Sequence, residues 1–176
     1  MTEPNTVDSA TTVVLFDGVC NLCNRSINWI IDRDPASRIR YLPLQSQAGR
    51  ALAEHAGLHP EHLTTMVAIR SGQVMKRSSA ALHIGTRIES PLALLSRAFL
   101  LIPAVLRDLG YRVVAHSRYV LFGKMDACRV PTPDLASRFL DPDDVAAAFD
   151  VAGLRMAGSK DAADGAPGVG VHASAG

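Results

Sequence analysis

The stretch Val13-Val-Leu-Phe-Asp17-Gly18-Val-Cys20-Asn-Leu-Cys23 organises the rest of the chain. Its apolar start predicts a short buried strand, Gly18 softens the turn that follows, and residues 21–33 show the apolar spacing of a helix. Residues three apart on a helix share one face, so Cys20 and Cys23 can come within disulfide range. The stretch therefore predicts a dithiol that can form a disulfide and be reduced again.

The position of Cys20 at the predicted helix start indicates its chemistry. Unpaired backbone N–H groups and the positive end of the helix dipole stabilise a thiolate there. We therefore expect Cys20 to be the nucleophile and Cys23, one turn further in and more shielded, to be the resolving thiol. Asp17 opposes this effect, because a nearby carboxylate disfavours a thiolate unless it accepts a proton or is held by backbone donors of the turn. Both roles for Asp17 stay open.

The composition is that of an ordinary globular protein. The chain has 176 residues, 48% hydrophobic and 20% charged, with a net charge of +1, which does not favour nucleic-acid binding. Its 3 cysteines are an odd number, which argues against a structural disulfide framework. Residues 1–11 are polar and carry acidic groups where an export signal needs basic and then apolar residues, so we expect a cytoplasmic protein.

The first half of the chain alternates between strand and helix patterns. Beyond the first strand and helix, we predict strands at Ile39–Leu44, Thr65–Ile69 and Val74–Lys76, a helix capped by Ser46 that runs to His55, and a helix capped by Ser78 and Ser79 that runs to Arg87. The resulting βαβαββα order predicts an α/β, thioredoxin-like core: a mixed four-stranded sheet with helices on both faces.

The second half predicts a helical extension. Residues 91–109 are strongly apolar, but Arg97 and Pro103 interrupt them and leave too short a run for a transmembrane span. We expect a helix buried on the core, with docking at a membrane surface or on a partner through 91–109 as the minor alternative, then a helix from Tyr111 to Phe122 and short helices at 134–140 and 143–149. The predicted organisation is a flexible start at 1–11, one domain at 12–150 with its core at 12–88 and its extension at 89–150, and a disordered tail at 151–176.

Asp17, Cys20 and Cys23 after an apolar strand resemble the signature of the DCC family of thiol-disulfide oxidoreductases, named for one Asp and two Cys. The similarity runs from about residue 13 to about residue 130 and includes Arg40–Gln45, Ser78–Leu82, Leu101–Pro103 and Ser117–Tyr119. The resemblance implies a thioredoxin-like fold and disulfide exchange with a physiological substrate that is generally unknown. Thioredoxins carry a cis proline just before the third strand, whereas this chain has Thr65-Met66 there, so a thioredoxin-type peptide clamp is in doubt.

The resemblance also singles out two residues further along the chain. An Arg-Tyr pair and a downstream Cys recur in the family, which implies that Arg118 could approach the dithiol and support a thiolate; a surface or interhelix ion pair is the alternative. Cys128 has three interpretations: an inert buried thiol, a third redox thiol, or a zinc ligand together with Cys20, Cys23 and His116.

The sequence thus predicts a thiol-disulfide oxidoreductase in which Cys20 attacks a substrate disulfide, Cys23 resolves the mixed disulfide, and Asp17 assists proton transfer or positions the turn. The redox-active dithiol is the only reactive group expected, without a bound metal or organic cofactor. A disulfide-containing substrate and a thiol electron donor are implied as partners, neither of them identified. The alternative is a non-catalytic thioredoxin-like binding module that senses redox state or holds a metal.

Overall fold

The strand that precedes Asp17 lies at the centre of a four-stranded sheet. The computed structural model describes residues 11–59, 65–124 and 133–154. Strand β1 (Thr12–Phe16) is buried along its whole length and pairs in parallel with β2 (Ile39–Pro43) and antiparallel with β3 (Val67–Arg70). Strand β4 (Gln73–Lys76) pairs antiparallel with β3, so the strand order is β2-β1-β3-β4.

Helices cover both faces of this sheet. They are α1 (Asn21–Ile31), α2 (Gln47–His55), α3 (Arg77–Gly85), α4 (Leu92–Leu100), α5 (Ala104–Phe122), α6 (Pro133–Ala136) and α7 (Val145–Val151). Because side chains alternate along a strand, Val13 and Leu15 of β1 pack with α2 and α7, whereas Val14 and Phe16 pack with α1 and α3. The predicted βαβαββα core and its mixed four-stranded sheet are confirmed, and the fold is thioredoxin-like.

The helical extension differs from its prediction. The apolar run at 91–109 is divided at Pro103, with α4 before it and α5 beginning at Ala104 rather than at Tyr111. The expectation of a helix buried on the core is wrong, since α4 buries only Ser96 and α5 buries only Arg118. Both faces of the sheet are already covered by other helices, so α4 and α5 pack against α3 instead.

Two predicted helix starts have different outcomes. Ser46 is the N-cap of α2, and its hydroxyl oxygen accepts the backbone N–H of Gly49 at 3.0 Å, as expected. The predicted cap by Ser78 and Ser79 is wrong, because α3 already begins at Arg77. The hydroxyl of Ser78 instead donates to Asp108 Oδ1 at 2.5 Å, which ties α3 to α5.

The segment after α6 pairs with β2, which is one of the two edge strands of the sheet. The backbone N–H of Tyr41 donates to Arg138 O at 3.0 Å, and that of Leu140 donates to Tyr41 O at 3.0 Å. The helix predicted at 134–140 is therefore wrong beyond Ala136, because pairing with β2 satisfies these backbone groups. At the C-terminal side, α7 ends at Val151 and Ala152 is buried, whereas residues 155–176 lie outside the described residues.

Across residues 11–59, 65–124 and 133–154, no helix combines the length and the apolar character needed to cross a bilayer.

Candidate active site

The dithiol lies where β1 gives way to α1. Cys20 is the N-cap of α1 in extended conformation, and its Sγ accepts the backbone N–H of Cys23 at 3.4 Å. Both thiols are free. Cys20 is 0% exposed and Cys23 is 9% exposed, so the expectation that Cys23 is the more shielded thiol is wrong.

The C-terminal end of α5 is joined to the start of α1, where Cys20 lies. An isolated antiparallel β-bridge joins Cys20 to Lys124, two residues beyond the end of α5. Next to it, Asn21 Nδ2 donates to the carbonyl oxygen of Phe122 at 3.0 Å. The first turn of α1 is thus joined to a chain segment 101 residues away in sequence, which no local pattern could indicate.

Asp17 is a buried carboxylate whose two oxygens each accept two hydrogen bonds. Oδ1 accepts from the backbone N–H of Val19 at 3.2 Å and from Gln45 Nε2 at 2.9 Å. Oδ2 accepts from Arg118 Nη2 at 2.9 Å and from the hydroxyl of Tyr119. Four donors therefore compensate for removing this charge from water.

Arg118 connects Asp17 to the dithiol. Its Nη2 forms the ion pair with Asp17, and its Nη1 donates to Cys23 Sγ at 3.4 Å. Burial lowers the pKa of Arg118, but the neighbouring Cys23 and Tyr119 outweigh this effect and raise it, so the guanidinium stays charged. The arrangement places a fixed positive charge beside one of the two thiols, on a helix that is distant from them in sequence.

Burial determines the protonation state of Cys23. Desolvation raises the pKa of Cys23 to about 12, and the hydrogen bond with Cys20 acts in the same direction. The charge of Arg118 lowers the same pKa but is the weaker influence. At neutral pH Cys23 is therefore a protonated thiol held against a guanidinium.

Side-chain amides fix the turn that carries the site. Gln45 Oε1 accepts the backbone N–H of Gly18 at 3.0 Å while its Nε2 donates to Asp17. Asn24 Nδ2 donates to the carbonyl oxygens of Gly18 at 2.7 Å and Cys20 at 3.0 Å. The turn between β1 and α1 is consequently held from two sides.

Sequence reasoning gave no role to Gln45, although a signal for it existed. Asp17 directly follows β1 and Gln45 lies two residues beyond β2. Neighbouring parallel strands end at the same edge of a sheet, so two polar residues in these positions meet there. Tyr119 belongs to the Arg-Tyr pair that the family resemblance singles out. Its hydrogen bond to Asp17 could not be predicted, because it depends on where α5 lies in the folded protein.

The chain before β3 differs from a thioredoxin-type peptide clamp. The backbone N–H of Met66 donates to the hydroxyl of Tyr111 at 2.9 Å, and its carbonyl oxygen accepts the N–H of Arg77 at 3.2 Å. Both backbone groups of Met66 are therefore used within the protein, and neither is free to pair with an extended peptide.

A cavity of about 510 Å³ lies beside α1, the helix that carries the dithiol. Trp29 of α1, which is 36% exposed, lines it together with other residues of α1, α3 and α4. The other lining residues are Arg25, Ser26, Ile30, Met66, Ala81, Ile84, Gly85, Ile88, Leu92 and Ser96. The cavity is largely apolar and adjoins the packing cluster that contains the two cysteines through Ile30, Ile84 and Met66.

The metal interpretation has no support among the residues that the structure describes. Within them, no group of three or more His, Cys, Asp or Glu side chains is arranged to hold a metal ion. His116 is exposed on α5. Cys128 lies outside the described residues, so its three interpretations stay predictions.

Comparison with protein families adds a second line of evidence to this geometry. Residues 14–124 match the family model described as DCC1-like thiol-disulfide oxidoreductase. The chain belongs to this DCC1-like family. The matched region begins in β1 and ends at the residue that bridges Cys20, so it contains Asp17, both cysteines and Arg118.

Two relatives are similar to this DCC1-like protein over about 120–130 residues. An uncharacterized protein of Bacillus subtilis (strain 168), YuxK, is 40% identical over 128 residues, which are 73% of this chain and 93% of the relative. A chloroplastic DCC family protein of Arabidopsis thaliana is 36% identical over 118 residues, 67% of this chain and 69% of that protein. No solved structure matches the chain.

Proposed function

We propose that this DCC1-like protein catalyses thiol-disulfide exchange, with Cys20 as the nucleophile and Cys23 as the resolving thiol. The observation that carries the proposal is the hydrogen bond from the Cys23 N–H to Cys20 Sγ at the start of α1. This N–H places a hydrogen-bond donor on the sulfur of Cys20 at the start of α1, whereas burial raises the pKa of Cys23 and keeps it protonated. The two thiols are thereby given different roles.

In the proposed reaction the Cys20 thiolate attacks one sulfur of a substrate disulfide. A Cys20–substrate disulfide forms, and the other substrate sulfur leaves as a thiolate that takes a proton from water. Cys23 then loses its proton to solvent or to a leaving thiolate and attacks Cys20 Sγ. The substrate leaves as its second thiolate, the substrate is reduced by two electrons, and the protein keeps a Cys20–Cys23 disulfide that an external thiol donor must reduce.

Arg118 is the residue that we assign to the second step. A guanidinium at 3.4 Å from Cys23 Sγ stabilises the thiolate that Cys23 must become. It counteracts part of the desolvation that otherwise keeps Cys23 inactive.

Of the two roles left open for Asp17, we propose positioning. Both of its oxygens already accept two hydrogen bonds, and one of those donors is Arg118. A carboxylate held in this way fixes the guanidinium against Cys23 and closes the turn through Val19. Asp17 therefore acts through Arg118 rather than on the sulfur.

The burial of Cys20 adds a requirement to this mechanism. Because Cys20 is 0% exposed, a substrate sulfur can reach it only when part of the surrounding structure moves, and we propose that residues 123–124, which are bridged to Cys20, are that part. Gly123 has a φ of 75°, a left-handed conformation at the point where α5 ends and the bridged segment begins. We propose that the chain bends at Gly123 when residues 123–124 move away from Cys20.

We propose a reducing cytoplasm as the compartment in which the protein acts.

A redox titration tests the proposed function. The full-length protein is equilibrated in glutathione buffers of graded potential, alkylated, and analysed by intact mass and peptide mapping. A reversible Cys20–Cys23 disulfide with one midpoint, and catalytic reduction of a model disulfide that is lost in Cys20→Ser, would support exchange. A pair that stays reduced over the whole range, or is protected by stoichiometric zinc that Cys128→Ala releases, would establish the binding module instead.

A further inference from the structure

The surface of α4 and α5 is unusual for a protein of this size. Of the sixteen large hydrophobic side chains that are exposed among the described residues, fifteen lie between Leu92 and Phe122. The two helices, in contrast, each bury a single side chain, and both of these are polar: Ser96 and Arg118. The usual distribution of polar and apolar residues between the inside and the outside is inverted here. We call this region the α4–α5 apolar surface.

The exposed side chains form a continuous stripe on each helix. In α4, Leu94 lies on the side opposite the buried Ser96, and Leu101 follows it by seven residues on the same face. In α5, Val105, Leu109 and Val113 repeat every four residues along one face. Leu101 and Val105, at 87% and 82% exposed, flank the turn between the two helices and make its tip apolar.

Positive charges accompany these stripes. Arg97 precedes Leu101 by one helical turn, and Arg112 lies on the face of Val105 and Leu109, seven and three residues after them. Both arginines are exposed. The only acidic residue between 91 and 124 is Asp108, which is engaged by Ser78 and Arg77.

We propose that the α4–α5 apolar surface docks on the surface of an anionic lipid bilayer. Exposed apolar side chains at the tip enter the headgroup region, and the arginines beside them pair with anionic lipid headgroups. This combination of an apolar face with exposed cations is what an interfacial helix requires, and it fits the negative charge of the cytoplasmic leaflet.

Two other occupants fit the surface less well. A second copy docked through the same face would add the same positive charges on the other side of the interface, and the one acidic residue between 91 and 124, Asp108, is already engaged by Ser78 and Arg77. The chain's own residues 155–176 consist largely of Ala, Gly, Asp and Ser and offer little apolar area to cover fifteen large side chains.

The docking surface reaches the candidate active site. Val120, Leu121 and Phe122 are the last exposed members of this surface, and Phe122 directly precedes Gly123 and Lys124, of which Lys124 forms a β-bridge with Cys20. A bilayer on this face would lie close to the segment bridged to the dithiol. The docking itself does not depend on the proposed exchange chemistry, because it rests only on the exposed side chains and charges of α4 and α5.

Vesicle sedimentation of the full-length protein tests the proposal. We expect binding to vesicles of phosphatidylcholine mixed with phosphatidylglycerol, weakening with added salt, and little binding to phosphatidylcholine alone. The double variant Leu101→Ser/Val105→Ser should bind about tenfold more weakly or worse, because the apolar contribution of the tip is lost. Arg112→Gln should bind about fivefold more weakly, whereas Arg50→Gln, an exposed charge on α2, should bind like the parent protein.

Three results would overturn this proposal. One is the failure of the parent protein to sediment with anionic vesicles at low salt. Another is equal loss of binding in Arg112→Gln and Arg50→Gln, which would indicate net charge rather than this face. The third is a concentration-dependent dimer that Leu101→Ser/Val105→Ser dissociates while vesicle binding stays absent, which would assign the surface to a second copy.

Discussion

Arg118 Nη2 lies 2.9 Å from Asp17 Oδ2 in an ion pair whose two side chains are each 5% exposed. This pair joins α5 to the end of β1, at the point where the chain turns into the dithiol helix. Each of its members also has further neutral or sulfur partners, so the pair is the centre of a hydrogen-bonded network rather than an isolated contact. Breaking such a network on one side leaves the other charge buried without compensation.

Arg118→Met should therefore destabilise the protein by about 3–5 kcal/mol, because Asp17 loses its only cationic partner among the described residues while it stays buried. Urea denaturation followed by circular dichroism measures the loss. Arg112→Met, on the exposed side of the same helix, is the control and should change the free energy of unfolding by less than about 0.5 kcal/mol. The double variant Asp17→Asn/Arg118→Met should lose less than the sum of the two single variants. Strict additivity would contradict the proposed coupling.

The protonation of Cys23 gives the second prediction. In a Cys20→Ser background, the thiolate absorbance of Cys23 should appear only at a pH well above the free-thiol value of about 8.5, because burial raises the pKa of Cys23. Adding Arg118→Met should move this titration to still higher pH, since the positive charge that lowers this pKa is removed. A shift toward lower pH would mean that Arg118 does not act on Cys23.

The same raised pKa of Cys23 makes stability depend on pH in a defined direction. From the ordinary value of 9.0 up to about 12, the folded protein keeps the proton that the unfolded chain loses. The stabilising contribution is therefore complete below pH 9.0 and decreases as the pH rises toward 12. The difference in unfolding free energy between the parent protein and Cys23→Ser should follow this decrease, and a constant difference over that range would refute it.

Much of this fold could be predicted because its signals are local. The apolar run before Asp17, the alternating strands and the cap at Ser46 each identify an element within a few residues of sequence. The exposure of α4 could not be predicted from local signals. Leu94 and Leu101 have side chains typical of a core, but other helices already cover both faces of the sheet, so these two residues stay exposed. The bridge between Cys20 and Lys124 could not be predicted from sequence either, because it depends on where the end of α5 lies in the folded protein.

The contact between the end of α5 and the start of α1, where Cys20 lies, gives the fourth prediction. Asn21→Ala removes the hydrogen bond from Asn21 Nδ2 to the carbonyl oxygen of Phe122, which helps to hold the end of α5 against the start of α1. Alkylation of Cys20 at neutral pH should become several-fold faster, since loss of one hydrogen bond of about 1 kcal/mol increases the open population about fivefold. Asn28→Ala is the matched control, because Asn28 is exposed on the same helix without such a contact. Equal rates in the two variants would place the barrier to access elsewhere.

Two glycines in helices provide the fifth prediction, which tests the packing of the fold itself. A methyl group on Gly49 would overlap the carbonyl oxygen of Pro43 and approach Ser46 Oγ to 2.8 Å, so α2 would have to move away from the end of β2. Gly49→Ala should therefore lower the free energy of unfolding by about 1–3 kcal/mol, a cost typical of overpacking. Gly110→Ala in α5 meets nothing within 4 Å and should instead raise it by about 0.5–1 kcal/mol through the lower entropy of the unfolded chain. Chemical denaturation of both variants decides the matter. Since the same substitution is expected to act in opposite directions at two helical sites, a common sign would show that helix propensity, rather than the close contact of α2 with Pro43, controls the result.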